Sequence, residues 1–133
     1  MTLTRFPHAA VWLDHFHAMV VLISPDDHRT VRLDSTRDDT QLHRKSGAPG
    51  AGRQADDTEF FAAIAGELAA NGSSVLVAGP STAKHDFRRW LDRRHPDLAG
   101  RIVATETLDH PSEGELIAHA RREFKRLDQL GIA

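Results

Sequence analysis

The sequence predicts one α/β domain, residues 1–133, built on a five-stranded mixed sheet with three helices in the order β-β-β-α-β-α-β-α. Three observations lead there. The first third holds three short runs rich in β-branched and apolar residues, joined by segments short enough to be tight turns. From residue 56 onward the apolar period lengthens to 3.6 in three separate stretches. Between the first two of these lies "SVLVAG" (74–79), apolar almost throughout, as a parallel strand covered on both faces should be.

The elements follow in order. "AAVWLD" (9–14) and "AMVVLIS" (18–24) flank the short polar "HFH", and "PDDH" (25–28) supplies turn residues before "TVRLD" (30–34). In that third strand Val31 and Leu33 alternate with Arg32, the pattern of a half-buried edge strand. Connections this short make the three strands antiparallel. In "DDTEFFAAIAGELAANG" (56–72), Phe60, Phe61, Ile64 and Leu68 share one stripe. Asp56 and Glu59 have the spacing of a capping box, and Asn71-Gly72 closes the helix. After the "SVLVAG" strand, "STAKHDFRRWLDRRH" (81–95) turns Phe87, Trp90 and Leu91 inward and is stopped by Pro96. "RIVATET" (101–107) is the fifth strand. Ser112 and Glu115 then cap a last helix with Leu116, Ile117, Ala120, Phe124 and Leu127 on one face. Three antiparallel strands followed by two right-handed crossovers form a ribonuclease H-like arrangement.

Composition narrows the function classes. Hydrophobic residues make up 40 % of the chain and the formal net charge is −2, so a nucleic-acid partner has to be met by a local patch. The absence of cysteine excludes disulfides, zinc–thiolate sites and a thiol nucleophile. The opening "MTLTRFPHAA" has no signal-like apolar run, and no stretch is long enough to span a bilayer. A cytoplasmic domain without a membrane partner or cofactor is expected.

Several constellations of side chains bear on chemistry. Asp14, at the end of the first strand, stands where a nuclease of this architecture places its first metal ligand. The fourth strand carries no acid, so Asp14 reads better as a turn residue. His15 and His17 fall in the expected hairpin turn, no HExxH occurs, and no metal site is assigned. Ser81, Lys84 and His85 lack a preceding nucleophile elbow. "GPSTAK" (79–84) joins strand to helix, either as plain architecture or as a phosphate-holding helix start aided by Lys84. Arg89 and Arg93 on the second helix, and Arg122, Lys125 and Arg126 on the last, lie opposite the apolar faces. With His43, Arg44, Lys45 and Arg53 they make a candidate set of RNA phosphate contacts.

The stretch "LHRKSGAPGAGRQADD" (42–57) has no core-forming residue between Ser46 and Ala55. A flexible basic loop over residues 35–55 is expected. Arg44, Lys45 and Arg53 charge it, and Asp38-Asp39 and Asp56-Asp57 fence it. So long a connection in a compact domain is expected to be functional or disordered.

The strand order, "LHRKSG…GAGRQ", "VLVAGPSTAKHDF" and "ETLDHPSEGELIAHAR" together resemble the middle domain of eukaryotic and archaeal class-1 peptide chain release factors and Pelota. The bacterial "translational machinery protein" family resembles the chain most. The resemblance spans roughly residues 8–127, and its most specific short motif is Gly79-Pro80 with Lys84. In such release factors the loop carries Gly-Gly-Gln, whose glutamine helps place the water that cleaves peptidyl-tRNA. The resemblance therefore implies Gln54 and Gly52 as catalytic residues, with Arg53 replacing the second glycine. It implies ribosomal RNA or tRNA as partner. Three readings stay open: peptidyl-tRNA hydrolysis in ribosome rescue, a non-catalytic RNA-binding module acting under stress, and a metal-dependent nuclease.

Overall fold

A computed structural model describes residues 6–35, 49–71 and 74–131, without the side chains of 49–56. Its elements are β1 (His8–Leu13), β2 (His17–Ile23), β3 (His28–Asp34), α1 (Pro49–Ala69), β4 (Ser74–Gly79), α2 (Ala83–Arg94), α3 (Pro96–Ala99), β5 (Ile102–Thr107) and α4 (Glu113–Gln129). The strands lie in the order β3-β2-β1-β4-β5. β2 runs antiparallel to β1 and β3, and β4 runs parallel to both β1 and β5. The expected five-stranded mixed sheet is present, with the expected edge strand β3.

Alternation along each central strand divides the interior into two cores. Ala9, Val11 and Leu13 of β1 face one side with Val20, Leu22, Val75 and Val77, and there meet Phe60, Phe61, Ile64 and Leu68 of α1 and Phe87, Trp90 and Leu91 of α2. Phe61 is the hinge of that packing, its ring 5.4 Å from Phe87 and 5.9 Å from Trp90. Ala10 and Trp12 face the other side with Met19, Val21, Ile23 and Leu76, under Leu116, Ala120 and Phe124 of α4. So α1 and α2, with α3, cover one face of the sheet, and among the described residues α4 covers the other.

The helix ends show where local signals were sufficient. The α4 capping box is formed as expected: the Glu115 N–H donates to Ser112 Oγ at 3.1 Å, and the Ser112 N–H to Glu115 Oε1 at 2.8 Å. Helix α1 differs. It begins at Pro49 rather than at Asp56, so the Asp56–Glu59 spacing falls inside the helix. Proline suits a first helical position because its missing N–H would have no partner there. Two glycines in the added turns argued against a helix from composition, at about 1 kcal/mol each relative to alanine. At the other end of α1, Arg101 Nη1 donates to the Leu68 and Asn71 carbonyls at 3.4 and 3.3 Å. The short α3 has no counterpart among the expected elements. Pro96 ends α2, and the next turn is helical with proline in its first positions.

Candidate functional site

The sequence-derived candidates separate into three groups. His43, Arg44 and Lys45 lie outside the described residues. Gly52, Arg53 and Gln54 lie on the backbone of α1, near its start, instead of in the loop expected to run to residue 55. The described side chains occupy the other helices.

The Gly79-to-Lys84 turn sits at the C-terminal ends of the parallel strands β1 and β4. Gly79 passes so near the Leu13 carbonyl oxygen that a Cβ there would overlap it, which accounts for glycine at this position. Lys84, expected at an RNA surface, is instead 4 % exposed. Its ammonium donates to the Ser81 carbonyl at 2.5 Å, so it ties the turn to the first turn of α2. In this arrangement its ammonium is turned to the Ser81 carbonyl, and its stem is packed in the turn.

Asp14 is likewise accounted for by local bonding. Its Oδ1 accepts the N–H groups of Phe16 at 2.8 Å and His17 at 2.7 Å, closing the β1–β2 hairpin. Its Oδ2 lies 3.6 Å from His110 Nε2. The neighbouring end of β4 supplies Gly79, Pro80 and Ser81, and no second carboxylate. This is the turn role that the sequence favoured over a nuclease ligand.

The basic side chains are divided by the sheet. Arg89 and Arg93 are exposed on α2, on one face, while Arg122, Lys125 and Arg126 are exposed on α4, on the other. Arg89 pairs with Asp86 at 2.5 Å, and Arg126 with Glu123 at 2.8 Å. Arg93, Arg122 and Lys125 make no ion pair among the described residues. The single phosphate-contacting set expected from the sequence is therefore two sets facing opposite ways. Both apolar stripes were visible in the sequence, but periodicity does not tell on which side of a sheet a helix packs.

One cleft escaped the sequence altogether. A space of about 280 Å³ opens between β1, β2, β3 and the start of α4, lined by Trp12, His17, Met19, Arg32, Asp34 and His110 among others. Trp12 Nε1 donates to the Leu108 and Asp109 carbonyls, and its ring lies 4.9 Å from that of His110. Arg32 is paired with Glu113 at 3.0 Å, which offsets the cation within the cleft. Its lining comes from separate stretches of chain, so no sequence spacing announces it.

No protein-family model matches the chain, and no curated protein matches it. Among the described residues no helix is long and apolar enough to cross a membrane. Solved structures do match. Pelota from Archaeoglobus fulgidus aligns with a TM-score of 0.62 at 18 % identity, over 90 % of this chain and 32 % of its own. An archaeal translation termination factor aligns at 0.58 and 13 %, over 92 % and 41 %. Pelota from Thermoplasma acidophilum aligns at 0.57 and 19 %, over 92 % and 38 %. The chain spans between a third and two-fifths of the length of these proteins. The two-sided sheet, its strand order and these alignments together assign to the chain the middle-domain fold of Pelota and the class-1 release factors.

Proposed function

We propose that this chain acts as a ribosome- or tRNA-associated, translation-factor-like module, and that the segment carrying Gly52, Arg53 and Gln54 promotes peptidyl-tRNA hydrolysis in ribosome rescue. The observation that carries the reading is positional. The chain has the release-factor middle-domain fold, and its Gly52-Arg53-Gln54 lies in the β3-to-β4 connection, which supports the resemblance of this segment to the Gly-Gly-Gln loop of release factors. In that chemistry the protein adds little covalent machinery. A glutamine amide positions water against the ester carbonyl and donates to the developing oxyanion, and RNA supplies the rest.

A second reading is favoured by one residue. Arg53 stands where the second glycine would allow close backbone approach, and its guanidinium suits phosphate contact. On that reading the segment binds RNA without catalysis.

Peptide release from stalled ribosomes, measured beside co-sedimentation at two salt concentrations, separates the two. For hydrolysis, Gln54→Ala lowers release far more than binding, because its interaction is used in the transition state. Arg53→Gly then keeps or raises release. For binding alone, wild type and Gln54→Ala release equally little, while Arg53→Ala with Lys45→Ala weakens association. Equal, salt-insensitive sedimentation of all variants would sink both readings.

A further inference from the structure

Helix α4 and the edge strand β5 bring together three side chains that are metal ligands by type. His119 and Glu123 are one turn apart on α4 and share a face, and Glu106 reaches that face from β5. His119 Nε2 lies 2.7 Å from Glu106 Oε1. One ligand atom from each residue lies within 4.8 Å of the other two, and all three side chains are half-buried. Leu116, Ala120 and Phe124 hold α4 against the sheet, so the two carrying elements are fixed relative to each other.

We propose that Glu106, His119 and Glu123 form a binding site for one divalent transition-metal ion, of the zinc, cobalt or manganese type. One imidazole with two carboxylates is a mixed nitrogen–oxygen donor set, which suits these ions better than the all-oxygen preference of calcium and magnesium. Ligand bonds of about 2.0–2.2 Å place neighbouring donor atoms roughly 3.0–3.5 Å apart. The present nitrogen–oxygen pair therefore has to open by about 0.3–0.8 Å, and the wider donor pairs, up to 4.8 Å apart, have to close, to admit an ion. Two carboxylates balance the ion's charge. Three protein ligands leave a coordination position for water or an anionic ligand atom, as in sites that are not purely structural.

Arg126 is the competitor. Its Nε and Nη2 donate to Glu123 Oε1 at 3.3 and 2.8 Å. Glu123 is thus shared between the Arg126 guanidinium and the proposed ion. The Arg126 side chain is exposed, so water can replace its bond to Glu123.

The test is titration of the whole chain with Zn²⁺ by calorimetry and with Co²⁺ by visible absorption. The expected result is saturable binding of one ion per chain, weakened at least ~10-fold by His119→Ala and by Glu106→Gln. Arg126→Gln should tighten binding several-fold by releasing Glu123, a response that scattered surface histidines would not give. Circular dichroism without metal checks that each variant is folded, and Glu123→Gln replaces any that is not. Absence of saturable binding below about 1 mM, or unchanged affinity in the ligand variants, would overturn the site. Unchanged affinity in Arg126→Gln would remove Glu123 from it.

Discussion

Gly79 and Leu13 lie at the C-terminal ends of adjacent parallel strands, with the glycine Cα against the leucine carbonyl oxygen and no room for a Cβ between them. The Gly79 carbonyl also accepts the Leu108 N–H at 3.1 Å, so the backbone is held from both sides. Gly79→Ala is expected to cost about 1–3 kcal/mol, the range for forced overpacking. Urea unfolding checks this. A loss under ~0.5 kcal/mol, the range of an ordinary surface change, would show that the strands part readily.

Lys84 predicts the opposite of what its motif suggests. Lys84→Ala removes a buried stem and the bond to the Ser81 carbonyl, so stability should fall by about 2 kcal/mol or more. Lys84→Met keeps most of the packing and should lose less. The salt dependence of any ribosome association should be the same for wild type and the methionine variant. A slope lowered by about one unit would instead show that Lys84 reaches a phosphate in the complex.

The opposed basic faces make a sharper RNA prediction. Arg122 and Lys125 lie on the α4 side of the sheet, and Arg93 lies on the α2 side. If one RNA surface is engaged, charge removal on that side alone should flatten the log–log salt dependence, by roughly one unit per lost contact. Equal effects from both sides would require RNA to wrap the domain.

Asp14→Asn retains an oxygen for the Phe16 and His17 N–H groups, so it should change stability by less than about 1 kcal/mol. Asp14→Ala deletes both bonds and should cost about 1–2 kcal/mol. Magnesium-dependent cleavage of RNA or DNA that is lost in Asp14→Asn would restore the nuclease reading.

His8 gives a pH dependence. Its ring stacks on Phe124 with centroids 4.4 Å apart, and burial lowers its pKa below 6.5, with Asp128 opposing the shift. The unfolded chain then takes up the proton more readily than the folded one. The stability that neutral His8 contributes is present above pH 6.5 and is lost as pH falls from there through the folded value. His8→Phe should flatten that part of the stability profile, measured by urea unfolding across the window. An unchanged slope would assign the loss to other groups.

What the sequence determined by itself is local in origin. The apolar run of "AAVWLD", the alternation in "TVRLD", the unbroken "SVLVAG" and the 3.6-period stripes with Phe87, Trp90 and Phe124 are local patterns, and each became the expected element. The Ser112–Glu115 cap formed because both partners lie within one turn. The Asp56–Glu59 spacing misled because a cap pattern cannot report a helix that already began at Pro49.

Only the tertiary structure decided which residues meet. Placing α2 and α4 on opposite faces of the sheet set Arg93 and Arg122 facing apart, and it brought Glu106 of β5 to His119 of α4. It also buried Lys84, whose place in a strand-to-helix turn suggested an exposed cation. Helix periodicity gives the angle of a side chain about its own axis. The side of the sheet on which that axis lies is fixed by the crossover path of the whole chain, and that path is settled by burying both faces at once.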